Sequence, residues 1–327
     1  MKYTKLGKTG ITVSKICLGT MMFGYVLDEK KSKALINRAL ELGINFFDTA
    51  NIYSRGRSEE ILGSAIKHKR DQIIIATKVF WSFRDPRGSG LSRSFVLQEL
   101  QNSLDRLQTD YVDIYYAHRY DPSVTAENLL RTFNIAIDSG KIRHIGGSTL
   151  HAWELMKSLW VADKLGLEPI QIIQPQYNLL YREEEREMFP LCADQNIAIA
   201  PWAPLAQGVL TGRYKKDHLP DTPRSKDGDI QHWFLRDKDF EIVDRLIEVA
   251  EQKKVKPAQI ALAWLFSKEV ITTPVVGISK MEHLEQAVEA LDIELTQEDQ
   301  EYLEELYQPR ELIGHYGGMP AAGDRQE

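Results

Sequence analysis

The stretch VDIYYAHRYDPSVTAENLLRTFNIAIDSGKIRHIGGST (112–149) decides the fold. It opens on a near-continuous apolar run (112–118), passes through a segment of helical periodicity, and closes on a second apolar run (142–147). Apolar runs without strict alternation mark strands buried on both faces. The helical segment ends in Gly140, a common helix stop. Strand, helix and strand in this order make a βαβ unit, whose strands lie parallel.

The same rhythm extends in both directions. Toward the N-terminus lie KICLG (15–19), INFFD (44–48) and IIIAT (73–77); toward the C-terminus lie IQIIQ (170–174), IAIAPW (197–202) and TPVVG (273–277). With the central pair this makes eight strands. Helical segments separate them, several stopped by glycine (Gly43, Gly166). Pro257 suits a first helical position, and Thr296 with Asp299 forms a capping box for a final helix. Eight such units predict a single α/β domain over 1–327, a (β/α)8 TIM barrel, because the first strand runs into GTMMFG and lacks the GxGxxG of an open nucleotide-binding sheet. The leading KYTKLGKTGITVSK reads as a hairpin turning at Lys8-Thr9-Gly10. The connection 203–272 holds a long loop (205–235) and extra helices, a further helix ends the fold, and residues 317–327 read as a frayed tail.

Composition bounds the function. Hydrophobic residues are 43%, charged residues 27%, and the net charge is −6, an ordinary globular mix with no bulk footprint for nucleic acid or anionic membrane. Two cysteines, Cys17 and Cys192, make no metal or disulfide framework. There is no secretory signal and no apolar run long enough to span a bilayer, so a cytoplasmic protein is expected.

Barrel active sites sit at the C-terminal ends of the strands. Those ends carry Asp48, Lys78, His118, Ser148-Thr149, Gln174, Trp202 and Gly277, with Tyr53 five residues beyond Asp48. Singly, Asp48 reads as a loop cap, Lys78 as a solvated strand end, His118 as a rim histidine and Tyr53 as packing. Together they fit one chemistry. An Asp–Lys pair offsets the cost of burying the ammonium, and the ammonium lowers the pKa of the phenol from about 10. The phenol then protonates a carbonyl oxygen that a neutral histidine orients. The hydride must come from a cofactor. Trp202 offers a face for a nicotinamide, Ser148 and Gln174 bind its carboxamide, and the loop APLAQGVLTG offers N–H groups to a pyrophosphate. Lys280 and Ser279 precede a helix whose N-terminus favours an anion, although Lys280 reads equally well as a solvated charge.

The chain resembles the aldo-keto reductase superfamily over nearly its whole length. The resemblance rests on LGKTGITVSKICLGTMMFG, GINFFDTANIYSRGRSEEILG, IIIATK, RLQTDYVDIYYAHRYDP, GKIRHIGGST, QPQYNLLYREEE and IAPWAPLAQGVLTG. The pattern is similar to the bacterial branch that holds YajO-type reductases and relatives of the potassium-channel β-subunits. The resemblance implies a catalytic tetrad of Asp48, Tyr53, Lys78 and His118, with Tyr53 as proton donor, and an extended NADPH. The cofactor positions it implies are Gly19, Thr20, Asp48, Ser148, Thr149, Gln174, Trp202, Ala203, Leu205, Gln207, Gly208, Leu210, Gly277, Ser279, Lys280, His283 and Gln286. Three places depart from the family pattern: Thr149 stands where Asn is common, Ala203 where Ser is usual, and Gln286-Ala287 where Glu-Asn meets the adenine. The expected activity is reduction of small aldehydes or ketones, with Tyr25, Trp81, Arg119 and the 205–235 loop as pocket walls and the 310–320 segment closing above. Two rivals differ in class: a redox-sensing binding protein like the channel subunits, and a Schiff-base lyase acting through Lys78.

Overall fold

The computed structural model describes residues 1–83, 89–216, 219–221, 230 and 233–311. The expected tail 317–327 lies outside the described residues, as do 217–218, 222–229 and 231–232 of the long loop and all but the first two residues of the 310–320 segment.

Eight parallel strands curl into the expected barrel: β3 (Cys17–Gly19), β4 (Phe46–Asp48), β5 (Ile74–Val79), β6 (Val112–Ala117), β7 (Ile142–Ser148), β8 (Ile170–Gln174), β9 (Ala198–Ile199) and β10 (Val275–Gly277). They are hydrogen-bonded in the order β10-β3-β4-β5-β6-β7-β8-β9. The N–H of Thr273 donating to Ile199 O (3.2 Å) and that of Val275 donating to Pro201 O (2.9 Å) close the cylinder. The seventh apolar run, 197–202, yields a strand of only two residues. Pro175 and Pro201 carry no N–H, so the ladder to β8 breaks there and resumes as a single bridge between Gln176 and Trp202.

The N-terminal hairpin, β1 (Tyr3–Lys5) paired antiparallel with β2 (Thr12–Ser14), lies against the barrel floor. Its Leu6 and Val13 join the inward-facing Cys17, Phe46, Ala76, Ile114, Tyr116, Ile172, Ala198 and Val275 in one apolar plug. The outward residues, such as Leu18, Phe47, Ile75 and Tyr115, belong to the second core beneath the helices. The inner lumen is narrow. A Cβ on Gly146 would stand 2.2 Å from a ring carbon of Tyr116, so only glycine leaves room for that ring.

The surrounding helices are α1 (Glu29–Glu41), α2 (Arg57–Ile66), α3 (Arg93–Leu107), α4 (Ala126–Asp138), α5 (Ala152–Leu165), α6 (Met188–Gln195), α7 (Asp237–Lys253), α8 (Pro257–Ser267), α9 (Met281–Glu289) and α10 (Gln297–Glu304). Their ends follow the expected punctuation. Gly43, Gly140 and Gly166 take positive φ, Pro257 opens α8, and Thr296 with Asp299 caps α10 reciprocally. Among the described residues no helix is long and apolar enough to cross a membrane.

Candidate active site

Along each inward-facing row the chemistry changes at the last layer. Phe46 gives way to Asp48, Ala76 to Lys78, and Ile172 to Gln174. An apolar floor thus carries a polar cap at the C-terminal mouth.

Tyr53 reaches this cap from a tightly shaped loop. Ser54, Arg55 and Gly56 are three consecutive residues with positive φ (49°, 55° and 88°). The hydroxyl of Ser54 anchors the turn on Phe23 O (2.7 Å), and the N–H of Asn51 ties it to Lys78 O (3.2 Å). Non-glycine residues in the left-handed region cost free energy, and such strain collects at functional sites.

The Lys78 ammonium has three donors and meets three acceptors: Asp48 Oδ1, Thr49 O (2.9 Å) and the Tyr53 hydroxyl oxygen (3.2 Å). The second oxygen of Asp48 accepts from Gln174 Nε2 at 2.8 Å. Asp48 and Lys78 are both about 1% exposed, so the pair is shielded from water on all sides. Burial alone would lower the Lys78 pKa, but Asp48 and Tyr53 outweigh it and hold the amine above its usual value. The expected lowering at Tyr53 is reversed. Burial of the hydroxyl raises its pKa by more than the adjacent ammonium lowers it, and Asp48 adds to the rise. His118, held at the end of β6 by its N–H to Val79 O (2.9 Å), meets the Tyr53 ring edge-on at a centroid distance of 6.0 Å. Burial, then Lys78 and Arg119, push its pKa well down, so the imidazole is neutral. Its Nδ1 is buried without a hydrogen-bond partner.

A carboxylate, an ammonium and a neutral imidazole near the ends of three consecutive strands meet a phenol from the intervening loop, and the aldo/keto reductase family profile matches residues 15–308. The chain belongs to the aldo/keto reductase family. It is therefore an NAD(P)H-dependent oxidoreductase that reduces carbonyl groups. It is 34% identical over 340 residues to versiconal hemiacetal acetate reductase of Aspergillus parasiticus, covering 95% of this chain and 98% of that one. It is also 34% identical to an aldo-keto reductase of Alternaria alternata, covering 96% of this chain and 93% of the other. A probable voltage-gated potassium channel subunit beta of Oryza sativa is 35% identical, covering 90% of this chain and 92% of the relative.

Of the residues expected to meet a cofactor, several are already engaged by the protein. Thr20, next to Gly19, gives its hydroxyl to Asp48 O (3.0 Å) and meets Ser58 at 2.7 Å. Ser148 donates to Gln174 O (2.9 Å). Thr149, at φ +53°, accepts from Arg119 (3.0 Å) and from the indole N–H of Trp202 (3.3 Å), so its hydroxyl orients the tryptophan. Beyond Trp202, Ala203, Ala206, Gln207 and Gly208 all have positive φ. The N–H groups of Gly208 and Leu210 both turn inward onto Leu205 O. At the other end, Gly277 is exposed, and a Cβ there would meet nothing within 4 Å. Lys280 is the exposed N-cap of α9, with Ser279 half-buried beside it. Burial and the nearby Lys280 and Arg213 hold the His283 pKa down, which places Arg213, a cation the sequence reading missed, in the same cluster. Gln286 bonds along its own helix to Glu282 (2.9 Å).

The expected pocket walls are spread around the rim. Tyr25 is 75% exposed, and Met21 and Val26, which sequence reasoning passed over, stand exposed on the same loop. Trp81 is half-buried with its ring edge-on to Phe80 (4.8 Å). Arg119 turns inward rather than to solvent, with Nη1 on His118 O (2.8 Å) as well as Thr149. Asn51 also escaped the sequence reading. Its amide donates to Trp81 O (2.9 Å) and to Glu99 (2.8 Å), joining the tyrosine loop to the rim. Being polar in an otherwise ordinary loop, it gives a signal only once its burial is known. Among the described residues no cluster of metal-ligating side chains is present.

Proposed function

We propose that the chain reduces apolar and aromatic aldehydes and ketones with NADPH, with Tyr53 as proton donor. The observation that carries this reading is the saturated Lys78 ammonium. Because the Tyr53 oxygen accepts from Lys78, its own O–H points elsewhere, toward the mouth shared with His118. The residues there fit a nicotinamide cofactor: a half-exposed indole at Trp202, open space over Gly277, and a cationic helix start at Lys280. When bound, such a cofactor would supply the hydride for the carbonyl carbon.

The protein supplies the rest. His118, neutral and with a buried nitrogen lacking a protein partner, orients the carbonyl oxygen. Tyr53 gives that oxygen its proton, and the alcohol forms. The phenolate left behind faces Lys78, whose charge Asp48 maintains. The amine stays protonated, which speaks against a Schiff-base role for Lys78. Met21, Tyr25, Val26 and Trp81 favour an apolar or aromatic substituent on the carbonyl. The similarity to the rice channel subunit supports a second reading, slow turnover of a tightly held cofactor. A single-turnover rate far above the steady-state rate would favour it.

Replacing Tyr53 by Phe tests the assignment. Carbonyl reduction is expected to fall by roughly 10²–10⁴-fold, while fluorescence titration shows NADPH binding nearly intact. A variant that keeps more than half of the wild-type turnover would contradict the role.

A further inference from the structure

Opposite in character to the polar mouth, one outer face of the barrel carries large apolar side chains in water. On α5 the exposed residues are Trp153, Met156, Lys157, Trp160, Asp163 and Lys164. Trp153 and Trp160 are each 56% exposed and Met156 42%; Ile135 on neighbouring α4 is also 42% exposed. Trp153 and Trp160 sit two turns apart and so share a helix face. Scattered exposed apolar residues are ordinary, but two tryptophans and a methionine on one helix face form a contiguous patch, and such patches mark interaction sites. Tryptophan is also the residue most enriched at the centres of interfaces.

We infer that this face binds a second copy of the chain, α4 and α5 of one protomer lying antiparallel on α4 and α5 of its partner. The charges around the apolar residues are arranged for self-recognition. On α4, Arg131 and Asp138 lie on either side of Ile135. On α5, Lys157 and Asp163 lie on either side of Trp160. A two-fold axis at these centres sets Arg131 of one protomer against Asp138 of the other, and Lys157 against Asp163. The proposed axis crosses both helices, at Ile135, the tenth residue of α4, and at Trp160, the ninth of α5. A two-fold interface requires such self-complementarity. Arg131 now bonds Glu127 on its own helix (2.9 Å), an exposed pair worth little that can be exchanged. The area also fits. Two indoles at about half exposure with Met156 and Ile135 offer on the order of 400 Å² of apolar surface. This is about half of the roughly 800 Å² per partner in a standard interface, and the charged flanks complete it as a polar rim.

Sedimentation velocity of the purified full chain across the micromolar range tests this. Wild type is expected to be a dimer. Trp160→Glu is expected to weaken it by at least roughly thirtyfold, the effect of losing a central anchor, with the circular-dichroism melt unchanged because Trp160 already faces solvent. Met156→Lys provides a second disruption at a site where folding is equally insensitive. Arg131→Asp is expected to loosen the dimer, and the double variant Arg131→Asp/Asp138→Arg to restore it. A monomer at every concentration, a dimer indifferent to Trp160→Glu, or a double variant no tighter than Arg131→Asp alone would each overturn the proposal.

Discussion

Lys78 illustrates what can be read from a residue type and what cannot. That an aspartate ends one barrel strand while a lysine stands near the end of the next is visible in the sequence, and so is their pairing. The sign of the shift at Tyr53 is not, because it depends on how deeply the hydroxyl is buried, and burial exceeds the effect of the ammonium. The bond from Gln174 to Asp48 spans 126 residues of chain and follows from how β4 and β8 face each other across the lumen, which no local pattern encodes. The raised phenol pKa has a kinetic consequence. Tyr53 stays protonated through neutral pH, so the reduction rate should be level there and fall only in the alkaline range where the phenol ionises. Alcohol oxidation needs the phenolate as acceptor, so its rate should climb with pH up to the same region. Lys78→Met removes the one neighbour that stabilises the phenolate most, and should depress both directions while moving the oxidation limb to higher pH. Rate–pH profiles in both directions check this; a reduction rate already falling at neutral pH would place the titration on another group.

At the scale of elements, helix ends were legible because single residues set them, as Gly140 and Thr296 do, whereas strand ends were not, because Pro175 and Pro201 decide how far β8 and β9 can pair. Nor does the sequence reveal how the tyrosine loop is braced. Glu59 on α2, fully buried, accepts from Thr77 on β5 (2.6 Å) and from Arg106 on α3 (2.6 Å), locking both helices to the strand that carries Lys78. The loop therefore rests on a buried ionic network, which is costly to break and rigid while intact. The proposed cofactor end is built differently. Lys280 is exposed at the start of α9, and Glu282, the nearest acid in that turn, is engaged with Gln286. A phosphate on the adenosine ribose would gain a charge-assisted bond from Lys280 worth about 1.5–3 kcal/mol, or roughly ten- to a hundredfold. Lys280→Ala is accordingly expected to raise the NADPH dissociation constant by that factor and leave that of NADH almost unchanged. Fluorescence titration with both cofactors decides it: equal losses would mean that Lys280 does not read the phosphate, and Arg213 beside His283 would be the next cation to replace.

For the whole molecule, eight apolar runs separated by helical segments pointed to a parallel sheet covered by helices, and the lack of GxGxxG after the first strand favoured the closed barrel over an open sheet. The hairpin's role as a floor plug was not legible, because Leu6 and Val13 reveal a destination only once the lumen exists. Closing the barrel also makes the stability of the entire fold sensitive to groups it holds uncharged. His118 is buried, and its pKa is pushed well below the usual 6.5, while that of half-buried His283 is lowered in the same direction. In the unfolded chain these imidazoles protonate at about pH 6.5. Below that value the unfolded state binds protons that the folded state refuses, so stability must fall as pH is lowered through 6.5, by up to about 1.4 kcal/mol per pH unit for His118 and by less for the partly exposed His283. Carboxyl groups held below their usual range, Glu183, Glu304 and Asp299, add a loss of the same sign, but mostly as pH falls through 4.5, the usual value of the two glutamates, and 3.8, that of the aspartate. Between pH 6.5 and about 5 the histidines therefore act alone among these groups. The melting temperature of the wild type is expected to decline over that window, and His118→Asn, which removes the larger of the two shifts, to flatten the decline whatever it does to the absolute value. Melting curves of both proteins from pH 7.5 to about 5 are the measurement, and parallel slopes would show that the barrel does not hold His118 neutral.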